Sequence, residues 1–146
     1  MEIKEDLITK IGHSLMNSAP FSDWHKITFK YHQVSNWAQG FLFYFNNSEQ
    51  GVWASSSDVS VFVNKLRKQM AQEQNKKGTW YEMKMEINSA GKFKIDFEYD
   101  IKPDFGFEIL DETFIADFKM FPRKAEYIPA WLKEILDRHN VKVDSN

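Results

Sequence analysis

The chain has 146 residues, 42% of them hydrophobic and 27% charged, which suits one soluble domain that buries roughly two-thirds of its unfolded surface. Nineteen Lys and Arg against 21 Asp and Glu give a net charge of −2, without the basic excess that marks a dedicated nucleic-acid binder. Cysteine is absent, which excludes disulfides, thiolate catalysis and cysteine zinc sites and fits a reducing compartment.

The N-terminus, MEIKEDLITKIGHSL, mixes acids and bases through its apolar positions and is no signal peptide. No apolar run approaches the roughly 20 residues that span a bilayer, so the cytoplasm is the expected location. Ile3, Leu7, Ile8, Ile11 and Leu15 fall on one stripe of a helix over 3–17, which Asn17-Ser18-Ala19-Pro20 ends. Trp24 to Val34 alternates as a strand, with Ile27, Phe29 and Tyr31 opposite Lys26, Thr28 and Lys30. Ser35–Gly40 reads as a loop. FLFYF (41–45) is apolar on both faces, as in an interior or covered strand, and Val52–Ser55 is a short third strand after NNSEQG.

Ser57 as N-cap and Asp58 in the first turn start a second helix, carried to about residue 75 by Val59, Phe62, Val63, Leu66 and Met70. Lys76-Lys77-Gly78 ends it. Residues 80–87 and 92–100 alternate around Asn88-Ser89-Ala90-Gly91 as a hairpin. With Ile87 facing Phe93, Lys84 falls opposite Asp96 and Glu86 opposite Lys94, favourable cross-strand pairs. Leu110, Phe114, Phe118 and Phe121 mark a third helix that Pro122 breaks. Tyr127 to His139 is a last helix turning Trp131, Leu132, Ile135 and Leu136 inward. Strands in runs, with too few helices for βαβ units, predict an α+β domain over 1–146: an antiparallel sheet of about five strands with helices mainly on one face.

Catalytic signatures are missing. His13, His25, His32 and His139 are scattered, with no HExxH; there is no GxSxG, and six glycines form no phosphate-binding loop. The pattern nearest to an enzyme is Glu82-Met83-Lys84 beside Asp96, Glu98 and Asp100, as in metal-dependent nucleases and phosphoesterases. Same-face neighbours on a strand are roughly 6.6 Å apart, too far to close on one magnesium ion at about 2.1 Å. No catalytic residue, metal or cofactor is therefore expected.

Charge along the chain is uneven. Between Asp96 and Asp117 stand eight acids (Asp96, Glu98, Asp100, Asp104, Glu108, Asp111, Glu112 and Asp117) and one base, Lys102. Between Phe62 and Gly78 stand five bases (Lys65, Arg67, Lys68, Lys76 and Lys77) and one acid, Glu73, read as a solvated face. Like charges crowded on a strand and loop repel, and a surface that keeps them uses the field to steer a basic partner. Trp37 in the loop, Trp53 at a strand end and Trp80 on the charged side of its strand are candidate interface anchors.

The strand GKFKIDFEYD with its preceding helix and strand, the early helix followed by Asp23-Trp24-His25-Lys26, and FLFYF resemble the YezG-like immunity proteins of bacterial polymorphic toxin systems, including contact-dependent and type VII secreted toxins. The resemblance covers roughly residues 3–138. It implies a non-enzymatic antitoxin that binds a cognate toxin domain, often a nuclease, and neutralises it inside the producing cell. Joined to the charge pattern, it implies that Asp96, Glu98, Asp100, Asp104, Glu108, Asp111, Glu112 and Asp117, with Trp80, occlude a basic toxin. No direct contact with nucleic acid or membrane is expected. A homodimer stays open, because FLFYF can pack under helices or against another copy.

Overall fold

The computed structural model describes residues 3–47, 51–54 and 59–144. Five strands form one antiparallel sheet: β1 (Trp24–Val34), β2 (Trp37–Asn46), β3 (Gly51–Ala54), β4 (Glu82–Asn88) and β5 (Phe93–Glu98), in the order β3-β2-β1-β4-β5. Among the described residues four α-helices accompany them: α1 (Lys4–Asn17), α2 (Ser60–Glu73), α3 (Asp111–Met120) and α4 (Ala130–Arg138). This is the α+β arrangement expected. The proposed Ser57-Asp58 start of α2 and most of the NNSEQG turn lie outside the described residues.

β1 is central, and its odd residues set the first core. Ile27 lies between Tyr44 and Ile87, and Phe29 between Leu42 and Met85. Leu7, Ile11 and Leu15 of α1 and Val63, Leu66 and Met70 of α2 close over this face, all buried. Gly12 lets α1 approach closely: a Cβ there would lie 2.2 Å from the tip of the Phe93 ring. The helix end is tied down by Tyr44, whose hydroxyl donates to Leu15 O at 2.7 Å.

Ser35–Gly40 is not a loop. Val34 pairs with Trp37, so only Ser35 and Asn36 make the turn, with Ser35 at a φ of 50°. The Asp117 carboxylate accepts the Ser35 N–H at 2.8 Å and holds this turn. The β4–β5 hairpin has the expected register, with Lys84 opposite Asp96 and Glu86 opposite Lys94. In its turn, Asn88 Oδ1 accepts the N–H groups of Ala90 and Lys92, both at 3.0 Å.

α3 and α4 build a second core at the end of the sheet, where Val34 and Tyr81 meet Phe105, Phe114, Phe118, Leu132, Ile135 and Leu136. Pro129 is the N-cap of α4, preceded by a 3₁₀ turn over Ala125–Tyr127. Two buried arginines join the cores. Arg67 of α2 grips Asp117 of α3 at 2.8 and 3.1 Å and donates to Trp80 O at 2.8 Å. Arg123 donates to the carbonyls of Thr79, Tyr99 and Tyr127.

Candidate functional site

α1 and α2 occupy one face of the sheet; the other carries a hollow of about 740 Å³. Strand alternation places the even residues of β1 and β4 and the odd residues of β2 on this second face. The result is two unlike halves. On β2, Phe41, Phe43 and Phe45 form a half-buried aromatic row, with Phe43 and Phe45 rings 6.5 Å apart and Lys26 Nζ 4.6 Å from the Phe45 ring. On β4 and β5 stand Glu82, Lys84, Glu86, Lys94, Asp96 and Glu98. The segment after β5 bounds one end, bringing Ile101, Lys102, Pro103 and Asp104 to the rim.

Glu82 is the hub of the charged half. Its carboxylate lies 3.4 Å from Lys30 Nζ, 3.8 Å from Lys84 Nζ and 3.2 Å from His32 Nδ1. Lys30 faces Lys84 across the ladder, and Glu82 offsets that repulsion. His32 is 4% exposed, its ring 5.5 Å from Phe105 and 5.7 Å from Phe41. Its Nδ1 lacks a well-aligned hydrogen bond although Glu82 is near. Burial pushes the imidazole pKa below its ordinary value; Glu82 and Asp104 oppose this and Lys30 adds to it. His32 is thus a neutral wall of the hollow near pH 7.

The eight acids do not form one surface. Asp96, Glu98 and Asp104 line the hollow. Asp100 is exposed beside it, 3.4 Å from Arg123 Nη1, and Glu108 and Glu112 are exposed further along the chain. Asp111 is held by Arg138 at 3.1 Å and His139 at 3.0 Å; the His139 hydrogen bond first, then Arg138, keeps its carboxyl below the ordinary range. Asp117 is 2% exposed and spent on Arg67 and Ser35, which removes it from any binding surface. Arg67 leaves the basic face for the same reason.

Trp80 is also misplaced by the sequence reading. It is fully buried, its ring 5.4 Å from Phe97 and its Nε1 3.3 Å from Met70 Sδ. The ladder begins only at Glu82, so strict alternation fails for Trp80 and Tyr81. One enters the first core and the other the second, where Tyr81 meets Phe114 and Trp131. Trp37 is exposed, but it opens β2 rather than lying in a loop, and stacks edge-on with the exposed Phe107 at 5.8 Å. The Trp53 side chain lies outside the described residues. What the sequence reading missed is the aromatic row; its signal is the alternation Trp37, Gln39, Phe41, Phe43, Phe45 through a strand longer than FLFYF.

Nor is the hollow uniformly acidic: Glu82, Glu86, Asp96, Glu98 and Asp104 stand among Lys30, Lys84, Lys94 and Lys102. Among the described residues no three His, Asp or Glu converge as a metal site, and no helix is long and apolar enough to cross a membrane. The model of the family described as immunity protein YezG-like matches residues 5–127. The chain belongs to the YezG-like immunity protein family. Comparison with curated proteins finds no match. The family match spans every described strand of this YezG-like protein and, from Glu5 onward, α1 to α3, so the open face formed by those strands lies within it.

Proposed function

We propose that this protein acts in the cytoplasm as an antitoxin, seating a cognate toxin domain on the open face of its sheet. It works by occlusion and has no catalytic step of its own. The observation that carries the reading is the meeting, in one hollow, of Phe41 and Phe43 of β2 with the carboxylates Asp96, Glu98 and Asp104. The phenyl groups supply apolar area and the carboxylates supply selectivity and speed of encounter. The toxin is then a basic domain. A nuclease fits, because it needs positive charge to hold a phosphate backbone, and the same charge suits the acids that line the hollow and the exposed Asp100 beside it. The protein itself touches neither nucleic acid nor membrane.

The test is co-purification with the product of a neighbouring toxin gene, together with protection of cells that express it. Phe43→Glu is expected to abolish both while the circular dichroism spectrum stays native. The triple change Asp96→Ala, Glu98→Ala and Asp104→Ala is expected to slow association and flatten its dependence on salt. Full protection by Phe43→Glu, with unchanged association kinetics in the triple variant, places the toxin elsewhere and refutes the reading.

A further inference from the structure

β5 ends the sheet, and among the described residues it pairs only with β4. Its backbone polarity follows from the register. Asn88 N–H donates to Lys92 O at 3.1 Å, and Glu98 O accepts from Tyr81 N at 2.8 Å. In an antiparallel ladder the bonding residues alternate, so Lys92, Lys94, Asp96 and Glu98 turn their peptide groups toward β4. Phe93, Ile95 and Phe97 turn their N–H and C=O groups off the edge. α1 meets this strand on its core face, through the rings of Phe93 and Phe97.

Such an edge is a template for another strand, and proteins blunt it with lysine, proline or a bulge. β5 has no proline, its register is unbroken, and Lys92 and Lys94 share its charged side with Asp96 and Glu98. We propose that a second copy of this chain fills the edge, the two β5 strands pairing antiparallel about Ile95 to join two five-stranded sheets into one.

Self-complementarity of charge selects both the occupant and the register. Centred on Ile95, Phe93 faces Phe97 and Ile95 faces its own counterpart, all three at positions whose peptide groups point outward. Lys94 then faces Asp96 and Lys92 faces Glu98, each pair occurring twice by symmetry. They stand at non-hydrogen-bonded positions, where strands approach to about 4.5 Å and side chains interact most. Centring one residue earlier sets Lys94 against Lys94; one later sets Asp96 against Asp96. On the core face, the half-buried Phe93, Ile95 and Phe97 gain a continuous apolar seam. The open face stays clear and runs on across the junction, so this inference stands apart from the toxin-binding proposal and is read out by mass rather than by protection.

Sedimentation over a concentration series is expected to show a reversible dimer. Lys92 sits opposite Asn88 in its own hairpin, so Lys92→Glu breaks no internal ion pair, yet it sets the new carboxylate against Glu98 twice; dimerisation is expected to weaken about tenfold. Adding Glu98→Lys is expected to restore it, a rescue that damage to folding cannot mimic. Because the chain has no cysteine, the register is read directly: Lys94→Cys protein mixed with Asp96→Cys protein forms a disulfide-linked dimer on oxidation, and neither does so alone. A wild-type chain that stays monomeric throughout, a Lys92→Glu variant that dimerises normally, or self-linkage of the Lys94→Cys protein overturns the proposal.

Discussion

Removing Asp117 isolates a charge in the interior. Arg67 and Asp117 have side chains only 1% and 3% exposed, joined by bonds of 2.8 and 3.1 Å. In Asp117→Ala the guanidinium keeps the Trp80 carbonyl and the faces of Trp80, Tyr81 and Phe121, but loses its counter-charge. Ser35 N–H loses its acceptor as well. Breaking one side of a buried pair costs about 3–5 kcal/mol, out of a total of about 5–15 kcal/mol for a domain. For a chain of this length that is a fall of about 10–15 °C in Tm. Urea unfolding followed by tryptophan fluorescence measures it, with buried Trp80 as a reporter beside the pair. Arg67→Met with Asp117→Leu removes both charges and is expected to recover much of the loss, because desolvation of an unpaired ion is the larger part of the cost. A loss below about 1 kcal/mol in Asp117→Ala, or a double variant no better than the single one, refutes the reasoning.

Three further outcomes follow from single side chains. Burial keeps the His32 pKa below the ordinary value of 6.5, so the unfolded chain takes up the proton first; stability is complete above about pH 6.5 and is lost as pH falls below it. His32→Gln is expected to lessen that fall in Tm–pH curves, and identical slopes would contradict it. Gly78 has a φ of +77°, and a Cβ there would lie 2.5 Å from the Arg123 side chain. Gly78→Ala is expected to cost about 2 kcal/mol in denaturant unfolding from the left-handed backbone alone, with more if Arg123 leaves its three carbonyls; a neutral result would mean that the backbone relaxes. Tyr44→Phe removes the 2.7 Å bond to Leu15 O and is expected to cost about 1 kcal/mol. Burial pushes the Tyr44 phenol to about 12, so alkaline absorbance titration of the wild type minus the variant is expected to show a late-ionising tyrosine.

Periodicity made much of this fold legible. The spacing of Leu7, Ile11 and Leu15 gives α1, and alternation through Glu82–Asn88 and Phe93–Glu98 gives the hairpin register, since slipping by one residue would turn every apolar group outward. Legibility failed where two cores meet. A strand with one buried face alternates; Trp80 and Tyr81, between two cores, are both buried. Asp117 and Arg67 failed for a related reason: each looks like a member of a charged run, and only the fold, which sets Asp117 of α3 beside Arg67 of α2, shows that they cancel. Nothing in the local sequence of either residue marks the other as its partner.

Charge density along a chain and charge density in space are different quantities, and the sheet is what separates them. The run from Asp96 to Asp117 is acidic because few lysines are near it in sequence. β1 and β4 then bring Lys30 and Lys84 beside it, and Glu82 binds both. The aromatic row moves the other way, from inconspicuous to informative. Leu42 and Tyr44 already anchor β2 in the first core, so folding does not require phenylalanine at 41, 43 and 45 on the opposite face. Half-buried phenyl groups there add an aggregation hazard, which the surrounding lysines and carboxylates restrain. On the function proposed above, a face that keeps both the hazard and the restraint suits a partner protein that matches the rings with apolar surface and the rim with charge.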